Sequence, residues 1–280
     1  MQQDEQYNEF QKTWEEMVMD TPLFKEIYKK LKFQRRIKSV SRRTLCTKDE
    51  FHLTVKRRSY PILFTNVFPA ENQESVFRKL LDDYGDFKIQ ARVGAYQSPE
   101  IYAGSREYKK ISMRDYVKKL LHTEAYAGNQ LLPPDAPEKL GISPPPFYDA
   151  SYFESPALWL GGSNTATPLH KDPTDNFIFQ IVGRKTWTLF PVRDVPNLYM
   201  KPVKYGRFGD FAISTVDIRN PDLKKCPNFA LAKSIQVTVE PGEMLYLPAG
   251  WVHHVLNLDI SLMMNFWVKL GNVGLLERSE

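Results

Sequence analysis

Residues 159–190 read WLGGSNTATPLHKDPTDNFIFQIVGRKTWTLF, and the fold turns on how this stretch is understood. At its centre stands His170-Lys171-Asp172. In an extended segment residues two apart point to the same face, so an imidazole nitrogen and a carboxylate oxygen can aim at one point. A site needs a third ligand, and Gly250-Trp251-Val252-His253-His254 offers one much later. Two histidines and one carboxylate on one side of a metal leave its other positions open. That suits Fe(II) that must bind a co-substrate and oxygen together. A bare HxD is more often a surface or capping pair, so its surroundings must carry the case.

Those surroundings are β-like. From Ala157 onward helical periodicity is nearly absent, and short strands are expected at 157–161, 176–182, 186–190, 234–239, 244–247, 253–258 and 261–268. Gly161-Gly162, Val182-Gly183, Pro241-Gly242 and Ala249-Gly250 punctuate them. Many short strands with such turns indicate a sandwich or barrel. Residues 191–233 interrupt the pattern, with a turn at Arg219-Asn220-Pro221-Asp222 and a short helix expected from Pro227. Long insertions on a β scaffold are often where binding is built.

Alternation assigns faces. Lys185, Trp187 and Leu189 share one, and its two large apolar groups mark it as the buried one. A buried ammonium is costly unless paired, and no nearby carboxylate in the stretch is an obvious partner. A ligand carboxylate would serve; snorkelling from the strand mouth to water is the equal alternative. Asn176, Ile178 and Gln180 share a face, and two buried amides there would fit a polar cavity better than a dry core, unless that face is simply wet. Met263, Asn265 and Trp267 also share a face. His253 and His254, being adjacent, point to opposite faces, so only one can join His170 and Asp172. His52 and His122 lie outside these motifs.

Upstream, residues 5–32 read as helical, with Phe10, Trp14 and Met17 at helical spacing and Thr21-Pro22 as a helix start. Residues 60–64 and 87–93 read as strands, and 74–84 and 112–121 as helices, the latter capped by Ser112 with Asp115 three residues on. A proline-rich connector, Pro133–Pro146, separates this half from the β half or lies within one compact unit. The division expected is an N-terminal helical segment, 1–50, followed by one domain, 51–280.

The chain has 280 residues, 42% of them hydrophobic and 25% charged, enough for a substantial core in an ordinary soluble protein. No apolar run approaches the ~18 residues of a membrane span, and the polar start MQQDEQYNEF is unlike a secretory signal. Two cysteines, Cys46 and Cys226, give no disulfide framework, so a reducing cytoplasmic or nuclear setting is expected. The net charge of +5 is uneven: Lys29–Arg43 holds eight basic residues and no acid. Such a block can bind phosphate backbones, or it can be a solvated face balanced by acids elsewhere.

Thr165–Asp172 (TATPLHKD), 176–191 (NFIFQIVGRKTWTLFP), 237–255 (VTVEPGEMLYLPAGWVHHV) and 263–267 (MMNFW) together resemble the JmjC, or cupin-like, Fe(II)- and 2-oxoglutarate-dependent oxygenases. The likeness is to the small hydroxylase branch, which includes the asparaginyl hydroxylase of hypoxia-inducible factor and the tRNA wybutosine hydroxylase. The motifs span roughly 85–270. The resemblance implies a mainly β chain with flanking helices and a double-stranded β-helix, or jelly-roll, core. It implies His170, Asp172 and His253 as iron ligands, His253 being the first histidine after the tryptophan-containing turn. Lys185 and Thr167 match residues that hold the distal carboxylate of 2-oxoglutarate, Tyr126 a co-substrate tyrosine, and Asn176 and Asn265 amides near the co-substrate and oxygen site. Trp251-Val252 stands where the family often has two tryptophans, which alters a wall and no ligand.

The implied activity is hydroxylation of a protein or peptide side chain, using O2 and converting 2-oxoglutarate to succinate. An RNA base, reached through Lys29–Arg43, or an N-methyl-lysine to be demethylated are the alternatives, and a metal-binding cupin without oxygenase activity is a fourth. No membrane is implied. No dimerising helical extension is read after the last core strand, which leaves a homodimer open.

Overall fold

A computed structural model describes residues 22–92, 108–120, 125–202 and 212–269. Phe10, Trp14, Met17 and His122 lie outside them.

Helix α1 (Pro22–Leu31) starts on its proline, whose missing N–H costs nothing at that position. Ile27, Tyr28 and Leu31 pack it onto the core. The lead-in is not wholly helical, because β1 (Ser41–Arg43) runs parallel to β2 (Ile62–Phe64). Between them Lys48–Glu50, capped by Thr47, continues as a π-helix over Phe51–Lys56. Only Phe51 and Val55 are buried there, too few to show a helical period in the sequence. Helix α2 (Gln73–Tyr84) is capped by Asn72 and buries Val76, Leu80 and Tyr84, one apolar stripe at four-residue spacing. Strands β3 (Lys88–Arg92) and β4 (Tyr108–Ser112) lead into α3 (Met113–Leu120). As expected, Ser112 caps α3: its Oγ accepts from Asp115 N at 3.1 Å.

Next come β5 (Tyr126–Leu131), β6 (Ala157–Gly161), β7 (Ala166–Lys171), β8 (Asn176–Val182) and β9 (Lys185–Phe190). Residues 191–233 are less of an interruption than their composition suggests. Short 3-10 helices at Val192–Asn197 and Pro227–Leu231 flank β10 (Met200–Pro202) and β11 (Ala212–Ser214), and β11 pairs with β7. These strands of three residues were too short to read by alternation. The chain closes with β12 (Ile235–Val239), β13 (Met244–Leu247), β14 (Val252–Asn257) and β15 (Ser261–Trp267).

Two sheets result. One has the order β1-β2-β13-β8-β15-β6-β5-β3-β4, the other β10-β11-β7-β14-β9-β12. Strands from β6 to β15 cross between the sheets, so the two inner faces close on one another as a jelly roll. Both faces of β8 are buried. Ile178 joins Trp187, Leu189 and Val255 between the sheets, while Phe177 packs outward on Phe51, Phe147 and Tyr246, and Phe179 on Phe68 and Phe266. The wet-face alternative for Asn176 and Gln180 is thereby excluded, since both are buried.

The proline-rich connector does not divide the chain. β5 and β6 pair across it, and Phe147 just after it stacks on Phe51 at 4.2 Å. Three arginines among the eight basic residues in the block are committed to acids elsewhere. Arg36 makes a two-pronged pair with buried Asp194, both contacts 2.6 Å, and Arg42 reaches Glu243 at 2.6 Å. Arg43 pairs with Glu50. Cys46 is half-buried and Cys226 buried, both free thiols. Among the described residues no helix is long and apolar enough to cross a membrane.

Candidate metal centre

β7 and β14 are antiparallel neighbours, and their register sets His253 directly opposite His170. The two rings stand 4.1 Å apart between centroids. Asp172 lies just beyond the end of β7. Its carbonyl accepts from Gly250 N at 3.1 Å, which ties it to the turn that opens β14. Gly250 has φ +82°, a conformation that only glycine adopts cheaply. The Asp172 carboxylate then lies 4.0 Å from His170 Nε2 and 3.9 Å from His253 Nε2. One ligand atom from each of the three residues falls within 4.8 Å of the others, and all three side chains are buried.

Both histidines are oriented from behind. His170 Nδ1 donates to Pro168 O at 2.7 Å and His253 Nδ1 to Trp251 O at 3.0 Å. Placing the proton on Nδ1 leaves the lone pair on Nε2, which faces the carboxylate. Burial pushes the pKa of His253 down, against the upward pull of Asp172, and so favours the neutral ring that a metal needs. Asp172 is held as well: Trp267 Nε1 donates to its Oδ2 at 3.1 Å and Asn176 Nδ2 to the same oxygen at 3.2 Å. Trp159 Nε1 donates to Asn265 Oδ1 at 2.9 Å, leaving the Asn265 amide N–H groups for the cavity.

The cavity beside the triad is about 100 Å³, far above the ~10–15 Å³ that one water needs on the same measure. Thr167, His170, Asp172, Asn176, His253 and Asn265 all line it. Thr167 deserves a physical account, because it is three residues from His170 and strict alternation would put them on opposite faces. A β-bulge resolves this. From His253 to Val255 β14 advances two residues while β7 advances three, from His170 back to Thr167, so both β7 side chains turn inward.

Near Thr167 lies Lys185, with no exposed surface. Snorkelling is therefore excluded. Its Nζ stands 5.6 Å from the centre of the Tyr126 ring and has no hydrogen-bond partner among the described residues. Burial alone pushes its pKa down to about 7. The Tyr126 hydroxyl meets Thr167 Oγ1 at 3.1 Å. Gly161 lets Tyr126 in, since a Cβ there would sit 2.3 Å from the Tyr126 ring. A buried cation with no hydrogen-bond partner among the described residues, over the ring of a tyrosine whose hydroxyl meets Thr167, fits an anionic group on a bound molecule. The triad is two imidazoles and one carboxylate, a donor set that fits a divalent transition metal with open positions.

One reading changes. Gln180 does not face the cavity: its amide donates to Val182 O at 2.8 Å, Gly183 O at 3.0 Å and Ser261 Oγ at 3.0 Å, holding the β8–β9 turn. His254 lies in the opposite wall, buried beside Arg219 and Thr188, with its pKa pushed down to about 4 by burial first. His52, half-buried, bonds Phe147 O at 2.7 Å, away from the centre. Sequence reasoning gave no role to Trp267, Trp159 or Arg92, all of which line the cavity. The shared face of Met263, Asn265 and Trp267 was the available signal for the first. For Arg92 it was a strand position that should be polar and exposed but ends in a buried arginine, 6% exposed.

A model of the cupin-like domain matches residues 15–269, reaching well upstream of the motifs read in the sequence. HSPB1-associated protein 1 of Rattus norvegicus is 40% identical over 115 residues, 40% of this chain and 24% of that protein. Lysine-specific demethylase 8 of Xenopus tropicalis is 37% identical over 109 residues, 39% of this chain and 24% of that protein. tRNA wybutosine-synthesizing protein 5 of Gallus gallus is 34% identical over 127 residues, 45% of this chain and 37% of that protein. The aligned stretch thus spans about a quarter to a third of the relatives' lengths.

Proposed function

The chain belongs to the cupin-like (JmjC) domain family, and on that premise we propose that it is an Fe(II)- and 2-oxoglutarate-dependent oxygenase that hydroxylates a protein or peptide side chain. The observation that carries the reading is Lys185, a buried ammonium with no hydrogen-bond partner among the described residues, set over the ring of Tyr126, whose hydroxyl meets Thr167 in the wall of the cavity beside the buried His-Asp-His triad. A metal-binding cupin without a co-substrate has no use for that cation.

In this reading His170, Asp172 and His253 hold Fe(II) through Nε2, a carboxylate oxygen and Nε2. Lys185 pairs with the distal carboxylate of 2-oxoglutarate, and the hydrogen-bonded hydroxyl pair of Tyr126 and Thr167 donates its free proton to it. Fe(II), with 2-oxoglutarate and O2, supplies oxidative decarboxylation to succinate and CO2 coupled to oxidation of a C–H bond. Asn176 and Asn265 present amides beside the triad, Asn176 also steadying Asp172. Trp159, Trp187 and Met263 wall the cavity with apolar surface, which excludes water from the reacting centre. Residues 51–280 act as the oxygenase domain, to whose larger sheet the 1–50 lead-in contributes β1.

A protein substrate is favoured over RNA because Arg36, Arg42 and Arg43 of the basic block are engaged by acids and so are not free for phosphates. Demethylation of an N-methyl-lysine uses the same centre and differs in product. The test is succinate formation that requires both Fe(II) and 2-oxoglutarate, followed by mass analysis of the captured substrate. Gain of one oxygen supports hydroxylation, loss of a methyl group supports demethylation, and absence of metal-dependent succinate with any substrate class removes the oxygenase reading.

A further inference from the structure

We propose that β4 is a docking edge for an extended, acidic polypeptide that leads one of its side chains into the metal cavity. What happens in the cavity rests on the oxygenase reading; the docking itself does not.

β4 ends the nine-stranded sheet, and no described strand lies beyond it. An edge strand presents unpaired N–H and C=O groups. An extended peptide uses such groups when it adds itself to a sheet. The register with β3 pairs Arg92 with Tyr108, Gln90 with Lys110 and Lys88 with Ser112. Cross-strand partners share a face. The first pair lines the cavity: Arg92 lies 4.8 Å from the centre of the Tyr126 ring, and Tyr108, 37% exposed, stands at the rim. With a rise of ~3.4 Å per residue, Lys110 follows about 7 Å from Tyr108, and Lys88 about 14 Å from Arg92.

Cations therefore recur at two-residue steps on the face that opens into the cavity. An extended peptide repeats its side chains on one face at the same ~7 Å period, so a carboxylate at alternate positions would meet Lys110 and then Lys88. None of Lys88, Lys109 and Lys110 is in an ion pair among the described residues, whereas Arg36, Arg42 and Lys56 are each matched by a largely buried carboxylate. Lysine on a sheet edge also guards against aggregation. A guard has no preferred face, so Lys109, exposed on the opposite face from Lys110, would then be its equal.

The test is fluorescence anisotropy with the full chain. The probe is a short fluorescein-labelled peptide of alternating Glu and Ala, compared with its Lys-Ala counterpart and an oligouridylate of equal charge. Saturable binding of the acidic peptide is expected, weakened about tenfold by Lys110→Glu and less than about twofold by Lys109→Glu. Only one edge of an added strand faces its partner, so N-methylation of one alternate set of peptide amides should abolish binding and of the other set leave it intact. No saturable binding, equal effects of the two lysine variants, or equal binding of oligouridylate and of both methylated peptides would each overturn the proposal. Co(II) titration of the same sample reports the metal centre separately. Peptide capture without metal binding would sink the oxygenase reading and leave the docking edge standing, and the reverse result would do the opposite.

Discussion

Trp267 donates its indole N–H to Asp172 Oδ2 at 3.1 Å, on the oxygen that Asn176 also reaches. Two donors from the nine-stranded sheet thus fix a carboxylate borne by the other sheet. We expect Trp267→Phe to weaken Co(II) affinity by ~10-fold, the usual scale for losing a ligand's supporting hydrogen bond. Isothermal titration checks it, and an unaltered affinity would mean that the indole does not orient Asp172.

His170→Ala, Asp172→Ala and His253→Gln should each abolish tight metal binding and any iron-dependent succinate. His254→Gln, in the far wall, should keep metal affinity within about twofold of the unaltered chain. Loss of metal from the His254 variant alone would reverse the choice between the two histidines.

Lys185 gives a pH signature. Its pKa is pushed down to about 7 in the folded chain and is about 10.4 in an unfolded one. Between those values the unfolded state binds more protons, so stability rises with pH across that window and the gain is absent below about pH 7. Melting temperature should therefore climb from neutral to alkaline pH more steeply in the unaltered chain than in Lys185→Met. A parallel profile for both would show that the ammonium is not buried unpaired.

The same lysine should govern the co-substrate. Lys185→Ala is expected to raise the 2-oxoglutarate concentration needed for half-maximal succinate formation by at least ~10-fold, the loss of a charge-assisted pair. An unchanged requirement would remove Lys185 from that role.

Asp194 joins the lead-in to the barrel. It accepts two 2.6 Å bonds from Arg36 and a 2.9 Å bond from Lys233 N. The arginine is 38% exposed, so water offsets part of the loss. Asp194→Ala should cost about 1–2 kcal/mol, seen in calorimetry as a melting point lower by ~2–6 °C.

Much of this was legible in the order of residues. Alternation fixed which side of β9 carries Lys185, Trp187 and Leu189, and all three are buried. The same rule separated His253 from His254. Glycine and proline punctuation marked the strands from β6 onward, apart from β7 and the short β10 and β11. The HxD spacing needed only an extended backbone, and that is a local property.

Three features were not local. Thr167 and His170 share the cavity because β7 bulges against β14, and a bulge arises from pairing between strands far apart in sequence. Gln180 looked like a cavity amide until the turn carbonyls and Ser261 were brought to it. Arg36, Arg42 and Arg43 of the basic block looked available for phosphates until Asp194, Glu243 and Glu50 closed on them. The sequence by itself determined the strand periods and the faces, and so set His170 and Asp172 on one side, because each follows from dihedral geometry over a few residues; the choice of His253 over His254 came from the family resemblance. Only the tertiary structure decided which polar groups have partners, since burial and neighbours are set by packing of the whole chain, and that is what leaves the buried Lys185 without a hydrogen-bond partner among the described residues.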